Sequence, residues 1–307
     1  MTAERVATRP RTSNGSRETD EPRGGGIRRR RMPARKRVRL TFTHLILIVL
    51  GLLWIYPFLW MMSASVKPNG AVFSGLGLIP TKFFFDNYST VWGDGNVGRL
   101  FANSVIVSVV GVVITVLVTS MMGYVLGRKQ FPGKKILIGL LAALVVLPHG
   151  YTIIPVVDLI FALHLDGNLF GIILAEVGGA HIIQLLLYAG YFSQLPNSLE
   201  ESAMLDGAGY FRIFARIYWP LAMPVTATVI ILQFIASWNS FLIPLVLTLS
   251  SPELQTLAVG LYSFQGENLT NYSQMSAAST ISLMPVIVVF LIFQRHFIEG
   301  MAGAVKQ

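Results

Sequence analysis

Long apolar runs separated by short polar segments dominate this chain of 307 residues. Six runs, at about 43 to 65, 100 to 127, 136 to 158, 168 to 192, 219 to 249 and 275 to 294, reach the roughly 20 residues that a helix needs to cross about 30 Å of hydrocarbon. They are continuous and rich in Leu, Ile and Val, unlike the short alternating strands of a membrane barrel. The pattern predicts an all-α polytopic membrane protein with six transmembrane helices. It divides the chain into a basic disordered tail (1–40), a first transmembrane helix (41–66), a loop (67–98), a core of five helices (99–296) and a short C-terminal tail (297–307).

One polar segment, 193–218, carries helical code of its own. Pro196 suits the first turn of a helix, and Glu200 and Glu201 fall in the early turn where the helix dipole favours acids. Asp206 and Gly207 supply a stop and a turn. A second helical stretch follows, with Phe211, Phe214, Ile217 and Tyr218 at helical spacing and Arg212 and Arg216 on another side. Pro220 and Pro224 then mark the return to the membrane. An amphipathic helix-turn-helix pinned between two spans suits mechanical coupling.

The segment Glu200-Glu201-Ser202-Ala203-Met204-Leu205-Asp206-Gly207-Ala208 resembles the Glu-Ala-Ala and Asp-Gly-Ala loop of ABC importer permeases. Asn103-Ser104, Trp238-Asn239 and the C-terminal run from Gln294 to Lys306 are similar to the carbohydrate-uptake, maltose-type branch. The likeness covers roughly residues 42 to 307, with Ser202 where the family usually has alanine and Ser240 where aspartate often follows Trp-Asn. It implies the type I importer core and a coupling role for Glu200, Glu201, Ala203, Asp206, Gly207 and Ala208. It further implies a second homologous permease forming a heterodimer, two ABC ATPase subunits that use ATP and Mg, an extracytoplasmic sugar-binding protein, and a sugar as solute. An ion-coupled secondary transporter and a membrane-anchored interaction protein are the rival classes, and the 193–218 loop argues against both.

Composition agrees: 53% of residues are hydrophobic and 13% charged, outside the range of soluble domains. The net charge of +9 sits wholly in residues 1–40, which hold 13 of the 24 Lys+Arg and 4 of the 15 Asp+Glu. With that tail inside, four more basic residues (Arg128, Lys129, Lys134, Lys135), two in the coupling loop (Arg212, Arg216) and two near the end (Arg295, Lys306) share its side. Only Lys67, Lys82 and Arg99 lie opposite. The positive-inside rule therefore puts both termini and the loop in the cytoplasm of a multi-pass cell-membrane protein. The arginine run ends directly before the first span and reads as a topology determinant on anionic lipid, with no nucleic-acid partner. The stretch from Leu45 to Met62 is too long for a cleaved signal peptide.

Zero cysteines exclude thiolate chemistry, and five histidines share no metal-ligand spacing, so no metal is expected. No phosphate-cradling Gly-Lys-Ser/Thr loop occurs. The chain is expected to bind no cofactor and to be no enzyme, leaving ATP hydrolysis to partner subunits.

Polar positions inside the spans refine the picture. Ser104, Ser108, Gly111, Thr115, Thr119 and Gly123 form a small-residue stripe that lets another helix approach closely. Pro148-His149-Gly150 and Pro155 break the third span, as a packing kink or a pathway-lining bend. Thr226, Gln233, Ser237 and Ser240, separated by 7, 4 and 3 residues, form one polar row on the fifth span. They line a path for a polyhydroxylated solute or supply interhelical hydrogen bonds, and Trp238 and Asn239 on other faces fit packing or pathway contact. Glu176 and His181 in the fourth span suit a proton relay, local pairing or a position near the outer mouth.

Overall fold

The computed structural model describes residues 34–304 except 76, 147–151, 180, 263 and 265–270, and these described residues form helices and connecting turns with no strand. Two compact units divide after Trp54, inside the first helix. The first unit contributes the beginning of α1 (Ala34–Ser65). This helix starts seven residues earlier than expected: Ala34-Arg-Lys-Arg-Val-Arg-Leu40 consists mostly of good helix formers, so the span propagates back into the stretch assigned to a disordered tail.

The second unit, from Ile55, contains α2 (Asp86–Trp92), α3 (Val97–Arg128), α4 (Lys134–Leu144), α5 (Ile153–Ala162), α6 (Leu169–Val177), α7 (Ile182–Ser193) and α8 (Ser198–Leu205). It continues through α9 (Tyr210–Ile213), a π-helical turn at Phe214–Tyr218, α10 (Trp219–Leu221), α11 (Met223–Trp238), α12 (Leu242–Leu247), α13 (Leu257–Tyr262) and α14 (Tyr272–Ala304). Helix α14 carries on through most of the stretch assigned to a C-terminal tail, and no proline follows Pro285 within it.

Among the described residues three helices are long and apolar enough to cross a membrane: Arg39–Ser65, Val97–Arg128 and Tyr272–Arg295. Counting the α6–α7 and α9–α11 stretches as bent spans gives five. The remaining expected span, 136–158, comprises α4 and α5, and its Pro148-His149-Gly150 break lies outside the described residues. Spans four and five are not the continuous helices expected. Gly178 and Gly179 interrupt the fourth, and the fifth bends by 78° at Ala222 and ends as a helix at Trp238.

Helix α3 is the central element, packed against α6, α7 and α11. In lipid, apolar area alone does not drive helices together, so close fit must do so. All six members of the small-residue stripe are buried. At the α3–α7 crossing, a Cβ on Gly123 would come within 2.4 Å of Tyr188 Cβ, and one on Gly127 within 2.7 Å of the Ala189 carbonyl oxygen. At the other end of α3, Asn103 Nδ2 donates to the carbonyls of Glu253 and Gln255 at 2.9 Å, and the Leu257 amide donates to Ser104 Oγ at 2.7 Å. These bonds tie the segment before α13 to α3.

Candidate functional site

Helix α8 begins at Ser198, two residues beyond Pro196, with Asn197 at its cap. Its two adjacent glutamates diverge completely. Glu200 is 8% exposed, with Oε2 3.5 Å from Arg128 Nε, and Lys129 Nζ donates to its Oε1. The Tyr124 hydroxyl makes a longer contact with Oε1 at 3.5 Å. Glu201 is exposed. Arg128 also donates to the carbonyls of Leu195 (2.8 Å) and Phe192 (3.5 Å) and to Asn197 Oδ1 (2.7 Å). One guanidinium thus gathers the end of α7, where cations are favoured, and the start of α8. Lys129 Nζ sits 4.1 Å from the centroid of the Tyr210 ring, reaching α9 as well. Sequence reasoning treated Arg128 and Lys129 as topology charges alone. Their partner is more than 70 positions away, although a glutamate destined for burial does signal that a cation must meet it.

The stop expected at Asp206 and Gly207 is a Schellman turn. The Gly207 amide donates to Met204 O at 3.0 Å and the Ala208 amide to Ala203 O at 2.9 Å, while Gly207 takes φ +77°. Ala203 is buried and Ala208 packs against the same core. A Cβ on Gly207 would meet nothing within 4 Å, so backbone angle and not crowding calls for glycine. Met204, Leu205, Tyr210 and Phe211 remain exposed around this turn, Leu205 at 90% and Phe211 at 72%.

That exposure corrects the expected apolar face. Phe214, Ile217 and Tyr218 point inward, but Phe211 points out and Ile213 takes its place in the core. The π-helical turn at 214–218 holds more residues per turn than an α-helix and shifts the phase of everything before it. Phe214 and Tyr218 pack on Tyr124, with ring centroids 5.4 and 5.0 Å apart, and on Phe192. The loop is thereby joined to α3 and α7.

The polar row of the fifth span separates into different environments. Thr226 is buried and accepts a hydrogen bond from the Tyr188 hydroxyl at 3.0 Å. Ser237 is buried beside Gly111, without a hydrogen-bond partner among the described residues. Trp238 Nε1 donates to Ser282 O at 3.0 Å and its ring stacks on Phe234, a packing role. Asn239 is exposed and donates back to Ile235 O. Ser240 does not continue the row, because α11 has ended, and its hydroxyl donates to Glu176 Oε1. Gln233 alone of the row lines a cavity of about 360 Å³, together with Glu176, His181 and Gln184. Gln184 Nε2 donates to Gln233 Oε1 at 3.1 Å. The pairing of Glu176 with His181 is real but runs through the backbone: the ring Nε2 lies 3.2 Å from the Glu176 carbonyl oxygen. Gln184 was missed by the sequence reading. Among the described residues no group of three metal-ligating side chains comes together.

Residues 119–303 match the family of binding-protein-dependent transport system inner membrane components. The chain belongs to this family. The permease is 33% identical over 270 residues to the diacetylchitobiose uptake system permease protein NgcG of Streptomyces coelicolor, covering 86% of this chain and 87% of that one. It is 34% identical over 275 residues to the arabinooligosaccharides transport system permease protein AraQ of Bacillus subtilis, covering 88% and 96%. The melibiose/raffinose/stachyose import permease protein MelC of the same organism is 29% identical over 252 residues, covering 81% and 91%. A solved bacterial ABC transporter involved in the import of the acidic polysaccharide alginate shares the fold, with a TM-score of 0.69 at 24% identity over 86% of this chain and 98% of that one. The permease is therefore a multi-pass cell-membrane transport component, not an enzyme, and works with an ATPase and a substrate-binding protein. Membership sets aside the ion-coupled and membrane-anchor classes.

Proposed function

We propose that this permease imports a mono-, di- or oligosaccharide, amino sugars included, as one half of a heterodimer with a second permease, and that α8 to α10 couple it to two cytoplasmic ATPase subunits. The sugar assignment rests on the three relatives, each named for sugar uptake. The coupling assignment rests on one observation: Leu205, Tyr210 and Phe211 stand exposed at a tight turn whose base is fixed by Glu200, Arg128 and Lys129. Large apolar side chains clustered at a polar, non-spanning turn fit a protein groove. Arg128, Lys129, Arg212 and Arg216 gather at that end of the core, which favours the cytoplasmic side for it and for both termini. ATP and Mg belong to the ATPases.

Closure of the ATPases on ATP would carry the turn with them. The push passes through the Glu200 ion pairs into α3 and through the rings of Phe214 and Tyr218 into α7, and the spans rock between inward- and outward-facing states. Uptake of labelled diacetylchitobiose, arabinotriose and raffinose by a deletion strain carrying this permease tests the sugar assignment, and uptake of none of them counts against it. For coupling, a paired Leu205→Asp, Phe211→Asp variant should insert normally yet fail to co-purify the ATPase. Retention of the ATPase and of uptake would sink the docking assignment.

A further inference from the structure

The cavity at the α6–α7 break contains chemistry that coupling does not use. Glu176 is the one acid of α6, just before Gly178 and Gly179 interrupt the helix, His181 stands at the cap of α7, Gln184 follows in its first turn, and Gln233 comes from α11. All four line one space of about 360 Å³, at the small end of the roughly 300–1,000 Å³ typical of small-molecule clefts. Irregular backbone at a helix break inside a membrane protein is tolerated where it lines a cavity, and polar groups there mark solute paths.

The hydrogen bonds already made decide what the cavity can still bind. One Glu176 oxygen is taken by the Ser240 hydroxyl, and among the described residues Oε2 is left open as an acceptor. His181 donates through Nε2 to the Glu176 carbonyl, which holds the ring at the helix break. Gln184 spends one N–H on Gln233 Oε1 and keeps its own Oε1 free. Gln233, with its oxygen occupied, retains both N–H groups. The unspent set holds two acceptors, one of them a carboxylate, and amide donors from the two glutamines. Neutral hydroxyl-rich molecules, which both donate and accept, match it. An anionic sugar would bring a second carboxylate against Glu176 with no lysine or arginine among the residues lining the cavity.

We propose that Glu176, His181, Gln184 and Gln233 form a solute-selectivity site on this subunit, which takes the hydroxyl groups of a neutral sugar and rejects acidic sugars. The sugar part of this proposal rests on the import function inferred above; the charge part does not. Ser240 is a positioning residue that holds the Glu176 carboxylate.

The absence of cysteine from the sequence supplies the test, since one introduced thiol is the only thiol of the subunit. Ala236 lines the same cavity without belonging to the proposed ligand set, so Ala236→Cys is the reporter. In the assembled transporter, labelled in mildly alkaline buffer, a cationic methanethiosulfonate reagent should modify it roughly tenfold faster than an anionic one of similar size, as expected where a cleft of one charge concentrates its counter-ion. Adding Glu176→Gln should erase the preference while leaving the thiol reactive. Diacetylchitobiose, arabinotriose or raffinose should slow the labelling at concentrations where a uronate disaccharide does not. Equal rates for both reagents in the parent, or a preference that survives Glu176→Gln, overturns the site. A preference that depends on Glu176 but is insensitive to all three neutral sugars overturns the sugar assignment and leaves the charged cavity standing.

Discussion

The two interruptions of helix in this permease, at Gly207 and at Gly178–Gly179, are built in opposite ways. At Gly207 the freed backbone groups are satisfied within the turn, the nearby carboxylate is neutralised by Arg128 and Lys129, and apolar side chains point outward. At Gly178–Gly179 a carboxylate, an imidazole and an amide from the interrupted span face a shared cavity, with hydrogen-bonding capacity left over. The first arrangement suits contact with a protein, the second contact with a hydrated solute. A break in a helix therefore says little by itself, and what the neighbouring side chains leave unsatisfied says more.

The sharpest way to break the contrast is Gly207→Val. A β-branched residue in the left-handed region is a genuine outlier: holding it there costs roughly 1–2 kcal/mol, and leaving that region undoes the turn. The protein should remain in the membrane while uptake falls to background and the isolated ATPase hydrolyses normally. Gly207→Asn, which tolerates that backbone, should keep substantial uptake, since the space around Gly207 is open. If the valine variant retains wild-type uptake in proteoliposomes, the turn is not part of coupling.

A second comparison uses the adjacent glutamates. Glu200→Ala leaves Arg128 without its buried partner and should lower the stability of the α3–α8 contact by about 3 kcal/mol, the low end for a broken buried pair because Lys129 is partly exposed. Limited proteolysis of the 195–210 segment in detergent should detect it. Glu201→Lys leaves that contact intact and should cost only about 0.3–1 kcal/mol near the helix start. Similar protease sensitivity in both variants would remove Glu200 from its anchoring role.

The smallest expected effect separates members of the polar row. Gln233→Leu should raise the half-saturating sugar concentration severalfold without lowering assembly, whereas Ser237→Ala should change neither, because Ser237 is buried against Gly111 and away from the cavity. Equal effects on transport would return the row to a single role.

Much of this was legible in the sequence. The small-residue stripe and the stop at Asp206-Gly207 depend on local periodicity and backbone preference, and the structure has both where the residues suggest, whereas of the expected spans it breaks the fourth and bends the fifth. What failed depends on distant partners or on helix phase. Phe211 keeps helical spacing with Phe214, yet the π-helical turn rotates it outward. Ser240 keeps spacing with Ser237, yet the helix stops between them. Gly178-Gly179 was a readable break signal that the apolar run obscured. No local rule could have joined Glu200 to Arg128, because that pairing exists only once α3 and α8 meet.

The Schellman turn also bears on the entropy of whatever the tip touches. A floppy loop must be ordered on contact, at roughly 1–2 kcal/mol for each backbone residue fixed, and would give under load before passing the load on. Here Ala203 to Ala208 are clasped in advance by two hydrogen bonds, and Lys129 lies over the first residue of the helix beyond. The tip is preset at one angle, and its base is fixed to the end of α3 and the residue after it by the ion pairs of Glu200.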